Sequence, residues 1–341
     1  MKKWSRRSVL GLLGTSVALP SFSWNVHSAG NNNPVVLANA LKKGDLVGIC
    51  APAGGIKDPE EPDQFAKLLK SMGFRVKMGK NLSGRFGYFS SPDAERAEEF
   101  LDMVSDKEVK AVFFIRGGWG CARILPLIDF HSIAANPKIY MGFSDISSLL
   151  NAITDRTGIV TFHGPNGNAS WNERSLSYLK TMAWELGACR FENLPDDLVP
   201  YTIVPGRSEG RLTGGNLSVL TAMIGTEYEP VWDGKILFLE EVHEEPYRID
   251  RMLTQMAQHG VFKQIKGLIL GAFRDCVPEE KNRAFTVDEV FRQHFNALDI
   301  PVYANAQFGH VANKFILPIG VNAVVDSVSC SIQMLEKAVT H

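Results

Sequence analysis

Several patterns that would assign a function directly are missing from this sequence of 341 residues. Its five cysteines are scattered and include no C-x-x-C pair, which argues against a zinc site and against a disulfide framework. The phosphate-binding pattern G-x-x-x-x-G-K-[ST] does not occur. His243-Glu244-Glu245 begins like the zinc motif H-E-x-x-H, but Tyr247 stands at the second histidine and Pro246 breaks the helical frame. We therefore expect neither a metal nor a cofactor.

The sequence also lacks an excess of charge of either sign. Its formal net charge is -1, which gives no electrostatic reason to expect nucleic acid or an acidic lipid surface as a partner. Apolar residues make up 45% and charged residues 21%, which is ordinary for a protein with a sizeable core. The length favours two domains, and no internal repeat is visible.

The N-terminal apolar run, Val9 to Leu19, is too short to span a bilayer. It follows Arg6-Arg7, and a paired arginine before a weakly apolar stretch is typical of a twin-arginine export signal. The alternatives are an ordinary signal or a disordered basic tail. We expect residues 1–29 to be the export signal, which predicts a periplasmic protein, and cleavage after Ala18 or Ala29 stays open. No cysteine lies near either point, so no stable membrane anchor is expected.

The chain from residue 34 to 190 alternates short apolar runs with amphipathic stretches. Phe65, Leu68, Leu69 and Met72 form the stripe of one helix, whereas residues 111–115 are entirely apolar, as in a strand buried on both faces of a sheet. This alternation predicts an N-terminal α/β domain with a mainly parallel sheet. A proline-rich and acidic stretch, 191–206, reads as a linker. The apolar runs within residues 207–341 then predict a smaller α/β domain that is rich in strands.

A turn at Gly142-Phe143-Ser144-Asp145 connects a predicted strand, 139–141, to a helix. A sharp strand-to-helix turn exposes its central side chain, and the first N–H groups of the helix point to the same place. If Ser144 is a nucleophile, the backbone N–H of Asp145 is placed to hold an oxyanion. The G-x-S-x-G pattern is incomplete, since its second glycine is missing, and the turn alone is equally typical of a serine that caps a helix.

The glycine-rich loop Arg116-Gly117-Gly118-Trp119-Gly120 follows the buried strand. Such a loop forms a second oxyanion donor or a pocket wall, or is merely a turn that needs positive φ. Cys121 is an alternative nucleophile at this loop, although no base lies near it in sequence. Because the carboxyl ends of strands in an open α/β sheet bind ligands, both loops are expected at one site.

Four further residues that carry chemistry stand at or just after the ends of predicted strands. Glu240 closes the run 235–241 in phase with Ile236 and Phe238, so it is expected to point inward, whereas Glu241 is interpreted as a solvated charge. His310, next to Gly309 in a loop, is positioned for access. His163 also ends a strand and is interpreted as a packing residue without a catalytic role.

Taken together and in order, these segments resemble the LD-carboxypeptidase family, serine peptidases also called the S66 family. The matching motifs are Arg116-Gly117-Gly118-Trp119-Gly120, Gly142-Phe143-Ser144-Asp145, Phe162-His163-Gly164-Pro165, Thr213-Gly214-Gly215-Asn216-Leu217, Leu237-Phe238-Leu239-Glu240-Glu241, Glu245-Pro246-Tyr247-Arg248, Phe308-Gly309-His310 and Leu317-Pro318-Ile319-Gly320. The resemblance extends from about Asp45 to the end of the chain. Two departures are Glu241, where an Asp is usual, and the loop Ala51-Pro52-Ala53-Gly54, where a Ser is common.

The resemblance implies a Ser-His-Glu triad of Ser144, His310 and Glu240, with an oxyanion hole formed by the backbone of Asp145 and Gly118. It implies an acyl-enzyme mechanism that releases terminal D-Ala from the murein tetrapeptide stem, at a bond that follows the L-centre of a diamino acid. A carboxypeptidase must also bind the terminal carboxylate, for which Arg116 and Arg248 are candidates. The triad would meet in a cleft between the domains.

Two other functions stay open at this point. A related serine peptidase of the microcin-immunity type would cleave a peptidyl-nucleotide and would need an aromatic side chain against the base, such as Trp119 or Trp171. A catalytically silent periplasmic peptide-binding protein would also have two α/β lobes around a cleft. The expected partner is a murein peptide, and the sequence leaves a homodimer open.

Overall fold

A computed structural model describes residues 33–183, 188–194, 198–280 and 282–341. The predicted export signal, residues 1–29, therefore lies outside the described residues. Two β-sheets with flanking helices make up the described chain, and together they confirm the predicted mixed α/β class.

The first sheet is built from β1 (Leu46–Cys50), β2 (Arg75–Met78), β3 (Val109–Phe114), β4 (Ile139–Gly142), β5 (Thr161–His163) and β12 (Leu317–Ile319). Its strand order is β12-β5-β4-β3-β1-β2. The five strands from the N-terminal half are all parallel to their neighbours, and only β12 runs antiparallel, next to β5. All residues of β3 except Lys110 are buried, as a strand covered on both faces requires.

Helices connect these strands and cover the sheet. They are α1 (Glu61–Ser71), α2 (Asp93–Ser105), α3 (Cys121–Ile124), α4 (Phe130–Ala135), α5 (Ser147–Thr157) and α6 (Glu173–Ala183). Helix α1 has Pro62 in its first turn and buries Phe65 and Leu69, so its predicted stripe faces the sheet.

The second sheet contains eight strands in the order β6-β14-β13-β8-β9-β10-β11-β7. Their bounds are β6 (Arg190–Phe191), β7 (Tyr201–Val204), β8 (Arg207–Asn216), β9 (Ile236–Val242), β10 (Gly267–Arg274), β11 (Val302–Ala304), β13 (Asn322–Asp326) and β14 (Ser331–Met334). The central strands β8, β9, β10 and β11 are parallel, and the outer pairings are antiparallel. Helices α7 (Leu217–Met223), α8 (Pro246–His259), α9 (Val261–Gln264) and α10 (Val287–Phe295) lie along this part of the chain.

The two sheets are held together by buried polar contacts between α5 and the end of β8. The Asn151 amide donates to the carbonyls of Ser147 (2.7 Å) and Gly214 (2.9 Å), and its oxygen accepts from the Thr213 hydroxyl at 2.9 Å. The backbone N–H of Asn216 donates to the Ser147 hydroxyl. Helix α5 starts just after Ser144 and β8 runs beside β9, so these contacts fix the two halves of the candidate site relative to each other.

The sequence Ser91-Pro92 predicts a helix with a serine cap and a proline at its first position, with Ala94, Ala97, Leu101 and Val104 as its apolar face. In the structure, α2 begins at Asp93 with Pro92 at its N-cap, so Ser91 is not the cap. Ala94, which was expected on the buried face, is exposed, while Arg96, Glu99 and Phe100 are buried. The reason is that both charged side chains bind backbone groups in the core: Arg96 donates to the Gly120 carbonyl, and Glu99 accepts from the Ala51 N–H. The pattern of apolar residues in the helix does not predict these contacts.

The stretch expected to be a linker contributes residues to the second sheet, since β7 pairs with β11 at its edge. Pro200 and Pro205 flank β7, at positions where no ladder N–H is required. Within the described ranges, none of the helices combines the length and apolar character needed to cross a membrane.

Candidate active site

Ser144 lies at a strained turn at the end of β4. Its φ is +64°, which is unusual for a residue that carries a Cβ, and a single 3-10 turn, Ser144–Ile146, leads from it into α5. The N-cap of that turn is Phe143 and the N-cap of α5 is Ile146. Ser144 is therefore not a helix-capping serine, and backbone strain at this half-buried strand end is typical of a functional residue.

The glycine-rich loop lies directly against Ser144. A Cβ added to Gly117 would be 2.9 Å from the Ser144 Cβ and 3.1 Å from its Oγ, so only glycine fits there without displacing the serine. The next residue, Gly118, has a φ of +99° and is exposed to solvent. The two loops expected at the same edge of the sheet are thus in contact.

His310 and Glu240 form a hydrogen-bonded pair. The distance between His310 Nδ1 and Glu240 Oε2 is 2.7 Å, the Glu240 side chain is fully buried, and the His310 side chain is 22% exposed. A carboxylate at Nδ1 favours the tautomer in which that nitrogen carries the proton, so Nε2 is the free acceptor on the opposite side of the ring. The expectation that Glu240 points inward from its strand is confirmed.

Phe143 connects the serine to this pair. Its ring centroid is 4.8 Å from that of His310, and Phe143 directly precedes Ser144 in the chain. Ser144 follows β4 of the first sheet, whereas Glu240 lies near the end of β9 in the second sheet and His310 lies in the loop that returns to β12. The structure thus brings the three residues of the predicted triad to the boundary between the two sheets.

Burial and His310 act in opposite directions on the Glu240 carboxyl. Burial alone would raise the pKa of Glu240, but the adjacent His310 imidazole favours the charged form and the pKa is lowered overall. Gly309 makes this close approach possible: its φ is +96°, and a Cβ at this position would lie 2.6 Å from Glu240 Oε2.

Glu241 is not a solvated charge, and this interpretation was wrong. The residue is 2% exposed, and its carboxylate accepts from the Asn216 amide and from the backbone N–H of Ser218, both at 2.8 Å. It therefore holds the first turn of α7 against the end of β9. The alternation of buried and exposed residues along a strand could not predict this role, because the groups that bind Glu241 belong to the start of α7.

His163 packs as expected, with 1% of its surface exposed and its ring against Phe143, Phe238 and Phe308. Neither ring nitrogen has a hydrogen-bonding partner among the described residues. Burial lowers the pKa of His163 to about 4, so the ring is neutral at physiological pH.

Cys121 is unsuited to be the nucleophile. It is fully buried, and burial first, with the nearby Asp145 carboxylate second, raises the pKa of its thiol well above the usual value. Its backbone N–H donates to Asp145 Oδ2 at 2.8 Å, which ties the glycine-rich loop to the Ser144 turn. All five cysteines of the chain are buried and free.

Arg96 is a contributor to the site that sequence reasoning did not identify. This fully buried side chain from α2 donates to the carbonyls of Pro52 and Gly120, the latter at 2.9 Å, and pairs with Asp93. It thereby holds the loop after β1 against the loop after β3. The sequence does contain one indication of this role. Arg96 lies on the otherwise apolar face of the helix, where an arginine is rare unless it binds buried groups.

The two arginines expected to bind a carboxylate have other surroundings. Arg116 is half-buried, and its guanidinium donates to the Gly55 carbonyl. Arg248 is exposed on α8, where it contacts the Tyr247 hydroxyl and lies 3.8 Å from Glu244. Among the described residues, no hydrogen bond or ion pair joins Arg248 to Ser144, His310 or Glu240.

The tryptophans differ in their accessibility. Trp119 is 45% exposed on the glycine-rich loop, so it is available to line the cleft. Trp171 packs against Phe65 and Phe113 and donates its indole N–H to the Asn166 carbonyl at 2.9 Å. Among the residues described, no cluster of three or more His, Cys, Asp or Glu side chains is arranged to hold a metal ion.

The buried carboxylate-imidazole pair packs on Phe143, the residue before a serine on a strained strand-to-helix turn, and these are elements that serine hydrolases combine. Two family models match the chain: the LD-carboxypeptidase N-terminal domain over residues 47–164 and the LD-carboxypeptidase C-terminal domain over residues 209–325. The protein belongs to the LD-carboxypeptidase family and is an enzyme of the carboxypeptidase class, as the sequence motifs predicted.

Curated relatives agree with this assignment. The chain is 38% identical over 290 residues to the "Probable murein peptide carboxypeptidase" of Bacillus subtilis, covering 84% of this chain and 91% of the relative. It is 31% identical over 290 residues to the murein tetrapeptide carboxypeptidase of Pseudomonas aeruginosa, covering 82% and 92%. The microcin C7 self-immunity protein MccF of Escherichia coli is 28% identical over 336 residues, covering 89% and 96%.

Solved structures confirm the fold. The muramoyltetrapeptide carboxypeptidase from Oxalobacter formigenes superposes with a TM-score of 0.72 at 29% identity, covering 85% of this chain and 97% of that one. MccF in complex with glutamyl sulfamoyl guanosine gives a TM-score of 0.82 at 24% identity, covering 89% and 99%. At that identity, the second likeness supports the fold alone.

Proposed function

We propose that this protein is a serine carboxypeptidase that releases the terminal D-Ala from murein tetrapeptide stems. The observation that carries the proposal is Ser144 on a strained turn, one residue from a ring that packs on His310, whose Nδ1 is 2.7 Å from Glu240. The family membership and the names of the relatives from Bacillus and Pseudomonas support the substrate class.

In the proposed reaction, His310 Nε2 takes the proton of the Ser144 hydroxyl as its oxygen attacks the scissile carbonyl carbon. The tetrahedral intermediate collapses when His310 returns that proton to the leaving nitrogen of D-Ala. Water, activated by the same imidazole, then hydrolyses the acyl-enzyme ester and restores the serine. Glu240 keeps the imidazole in one tautomer and stabilises its charged form.

The oxyanion of the intermediate would be bound by the backbone N–H groups of Asp145 and Gly118. The first lies in the 3-10 turn that opens at Ser144, and the second lies on the loop that contacts Ser144. One such donor is worth about 3–4 kcal/mol of transition-state stabilisation in a hydrolase. Trp119 and Arg116 on the same loop are proposed to line the substrate cleft.

The proposal is tested by incubating purified murein tetrapeptide with the protein and separating the products by liquid chromatography with mass spectrometry. Wild type should give the tripeptide and free D-Ala, whereas Ser144→Ala should lower the rate by at least about 10⁴-fold. Ser177→Ala, at an exposed position on α6, is the matched control and should act like wild type. Tripeptide formation by Ser144→Ala at a rate close to wild type would refute the assignment of the nucleophile.

A second candidate is a peptidase of the microcin-immunity type, which the similarity to MccF favours. One relative of that kind was crystallised with aspartyl sulfamoyl adenosine, so this compound and the tetrapeptide serve as competing substrates in the same assay. We expect turnover of the tetrapeptide to dominate, because the relatives named for murein peptides are 38% and 31% identical to this chain, whereas MccF is 28% identical. Preferential cleavage of the nucleotide compound would favour the second candidate.

We further propose export to the periplasm by the twin-arginine route, on the evidence of Arg6-Arg7 before a short apolar run. The test is a cell fractionation of wild type and of the Arg6→Lys, Arg7→Lys double variant. The wild-type protein should be recovered in processed form from the periplasm, and the variant should accumulate unprocessed in the cytoplasm. Equal export of both proteins would contradict the proposal.

A further inference from the structure

Lys314 is a buried cation beside the candidate active site. It follows His310 by four residues in the same loop and is 4% exposed. Its ammonium nitrogen lies 4.1 Å from the centre of the Phe143 ring, the same ring that packs on His310. Phe143 directly precedes Ser144, so this charge lies close to the proposed nucleophile. The attraction between the ammonium and the ring face keeps it there.

Lys314 has no anionic partner of its own in the described part of the chain. None of the described carboxylates comes within the 4.0 Å of an ion pair. Glu240 is near enough to favour the charged form of Lys314, but neither of its oxygens lies within 4.0 Å of the ammonium: Oε2 is engaged by His310 at 2.7 Å, and Oε1 is buried without a hydrogen bond. A buried ammonium without a paired anion is costly, so proteins rarely retain one without a use for it.

The ammonium remains charged for much of the time at neutral pH. Burial lowers the pKa of Lys314 to about 8, and the Glu240 carboxylate limits this decrease. A binding partner that carries a negative charge would favour the protonated form further. The site therefore presents a preformed cation, and the ligand that suits it is a carboxylate.

In a carboxypeptidase, the terminal carboxylate is always close to the bond that breaks. Its carbon is two bonds from the scissile nitrogen, a distance of about 2.5 Å with ordinary bond lengths and angles. We propose that Lys314 binds the terminal carboxylate of the substrate and so restricts the enzyme to the last residue of the peptide. This inference rests on the proposed function.

Lys314 suits this role better than the two arginines do. Arg248 is exposed and lies close to Glu244, and Arg116 donates to the Gly55 carbonyl. Among the described residues, no hydrogen bond, ion pair or cation–π contact joins either arginine to Phe143 or His310. Since the murein stem carries other carboxylates, including that of the diamino acid side chain, the experiment must distinguish the terminal one from these.

The test compares kcat/KM of wild type and Lys314→Met on three peptides. These are a tetrapeptide with meso-diaminopimelate, the same peptide with a carboxamide in place of its terminal carboxylate, and a tetrapeptide with L-lysine as the diamino acid. Methionine is similar in length to lysine and neutral. Lys337→Met, at an exposed position, is the matched control and should behave as wild type on all three peptides.

We expect Lys314→Met to lower kcat/KM by about 10- to 100-fold for both peptides that have a free terminal carboxylate, because this factor corresponds to the loss of one charged hydrogen bond. Turnover of the carboxamide should change by less than about threefold, so the preference of wild type for the acid should disappear. Lys314→Arg should restore part of that preference. An equal loss on acid and carboxamide, or no loss on either, would overturn the proposal.

A loss confined to the diaminopimelate peptide would also overturn it, because Lys314 would then bind the side-chain carboxylate. The reaction of Ser144 with a fluorophosphonate, which carries no carboxylate, is the second measurement. Its rate should be similar in wild type and Lys314→Met. Failure of wild type to react or to cleave the tetrapeptide would reject the proposed function itself, whereas a normal reaction with an unchanged acid preference in Lys314→Met rejects only the inference.

Discussion

At the scale of single residues, Gly309 offers a sharp test of the geometry around Glu240. A Cβ at this position would lie 2.6 Å from Glu240 Oε2, and the φ of +96° is also unfavourable for alanine. We expect Gly309→Ala to lower kcat/KM by at least about 100-fold, because the carboxylate must move away from His310. Steady-state kinetics with the tetrapeptide would measure this change.

Gly260 provides the matched control for backbone strain. It has a similar φ of +88° at the end of α8, but nothing lies within 4 Å of the position that its Cβ would occupy. Gly260→Ala should reduce the free energy of unfolding by about 1 kcal/mol and leave kcat/KM unchanged. If both variants lost the same share of activity, the effect of Gly309→Ala would be due to strain rather than to Glu240.

His163 predicts a dependence of stability on pH. The pKa is lowered by burial from 6.5 to about 4, so the unfolded chain binds a proton at higher pH than the folded protein does. The stability that His163 contributes is therefore complete above pH 6.5 and is lost as the pH falls towards 4. The shift corresponds to about 3 kcal/mol.

Replacing His163 by leucine should remove this part of the pH dependence. Urea unfolding at pH 7 and pH 4.5 would measure the free energy of unfolding, which should fall more steeply in wild type than in His163→Leu. At pH 7 the variant should be about as stable as wild type, since neither ring nitrogen has a hydrogen bond to lose. His341→Leu, at the exposed chain end, should keep the wild-type pH dependence, and an identical slope for His163→Leu would contradict the account.

The sequence allowed the places of Ser144, Glu240 and His310 next to strand ends to be predicted, because motif and position agreed, whereas their catalytic roles stay a prediction. Glu241 and Lys314 could not be predicted in this way. Their environments are made by the first turn of α7 and by Phe143, which are distant from them in the chain. From the sequence alone, a charged residue is predicted to be exposed, because the group that binds it in the core is not visible there.

At the scale of elements, the contact between α5 and β8 is the connection that aligns the two halves of the site. Asn151→Ala would leave the Thr213 hydroxyl and the Gly214 carbonyl buried without their partner. We expect a loss of about 2–4 kcal/mol in the free energy of unfolding, measured by urea denaturation. Asn296→Ala, at an exposed position after α10, should change it by less than about 0.5 kcal/mol.

The same elements explain which parts of the fold were predictable. The strands and helices with clear apolar periodicity, such as β3 and α1, lie where the sequence placed them, within a few residues. The short edge strands β6 and β7 were not predicted, because edge strands are half-exposed and lie in a polar, proline-rich stretch. The pairing of β12 with β5 was also not predictable, since it joins distant segments.

At the scale of the whole molecule, the chain does not divide cleanly into an N-terminal and a C-terminal unit. Strand β12 follows the second sheet's parallel strands in sequence but completes the first sheet beside β5, and the Ala40 N–H donates to the Thr340 carbonyl at 2.7 Å. We expect one cooperative unfolding transition in differential scanning calorimetry, with equal calorimetric and van't Hoff enthalpies. Two separate transitions would contradict this view of the interface.

The central claim is that Ser144 is a nucleophile activated by His310 and Glu240, and the most direct test is its reaction with a fluorophosphonate, located by peptide mass spectrometry. We expect one adduct per chain, on Ser144, with no adduct in Ser144→Ala and a rate at least about 100-fold lower in His310→Ala. An adduct on another residue, or an unchanged rate without His310, would contradict it.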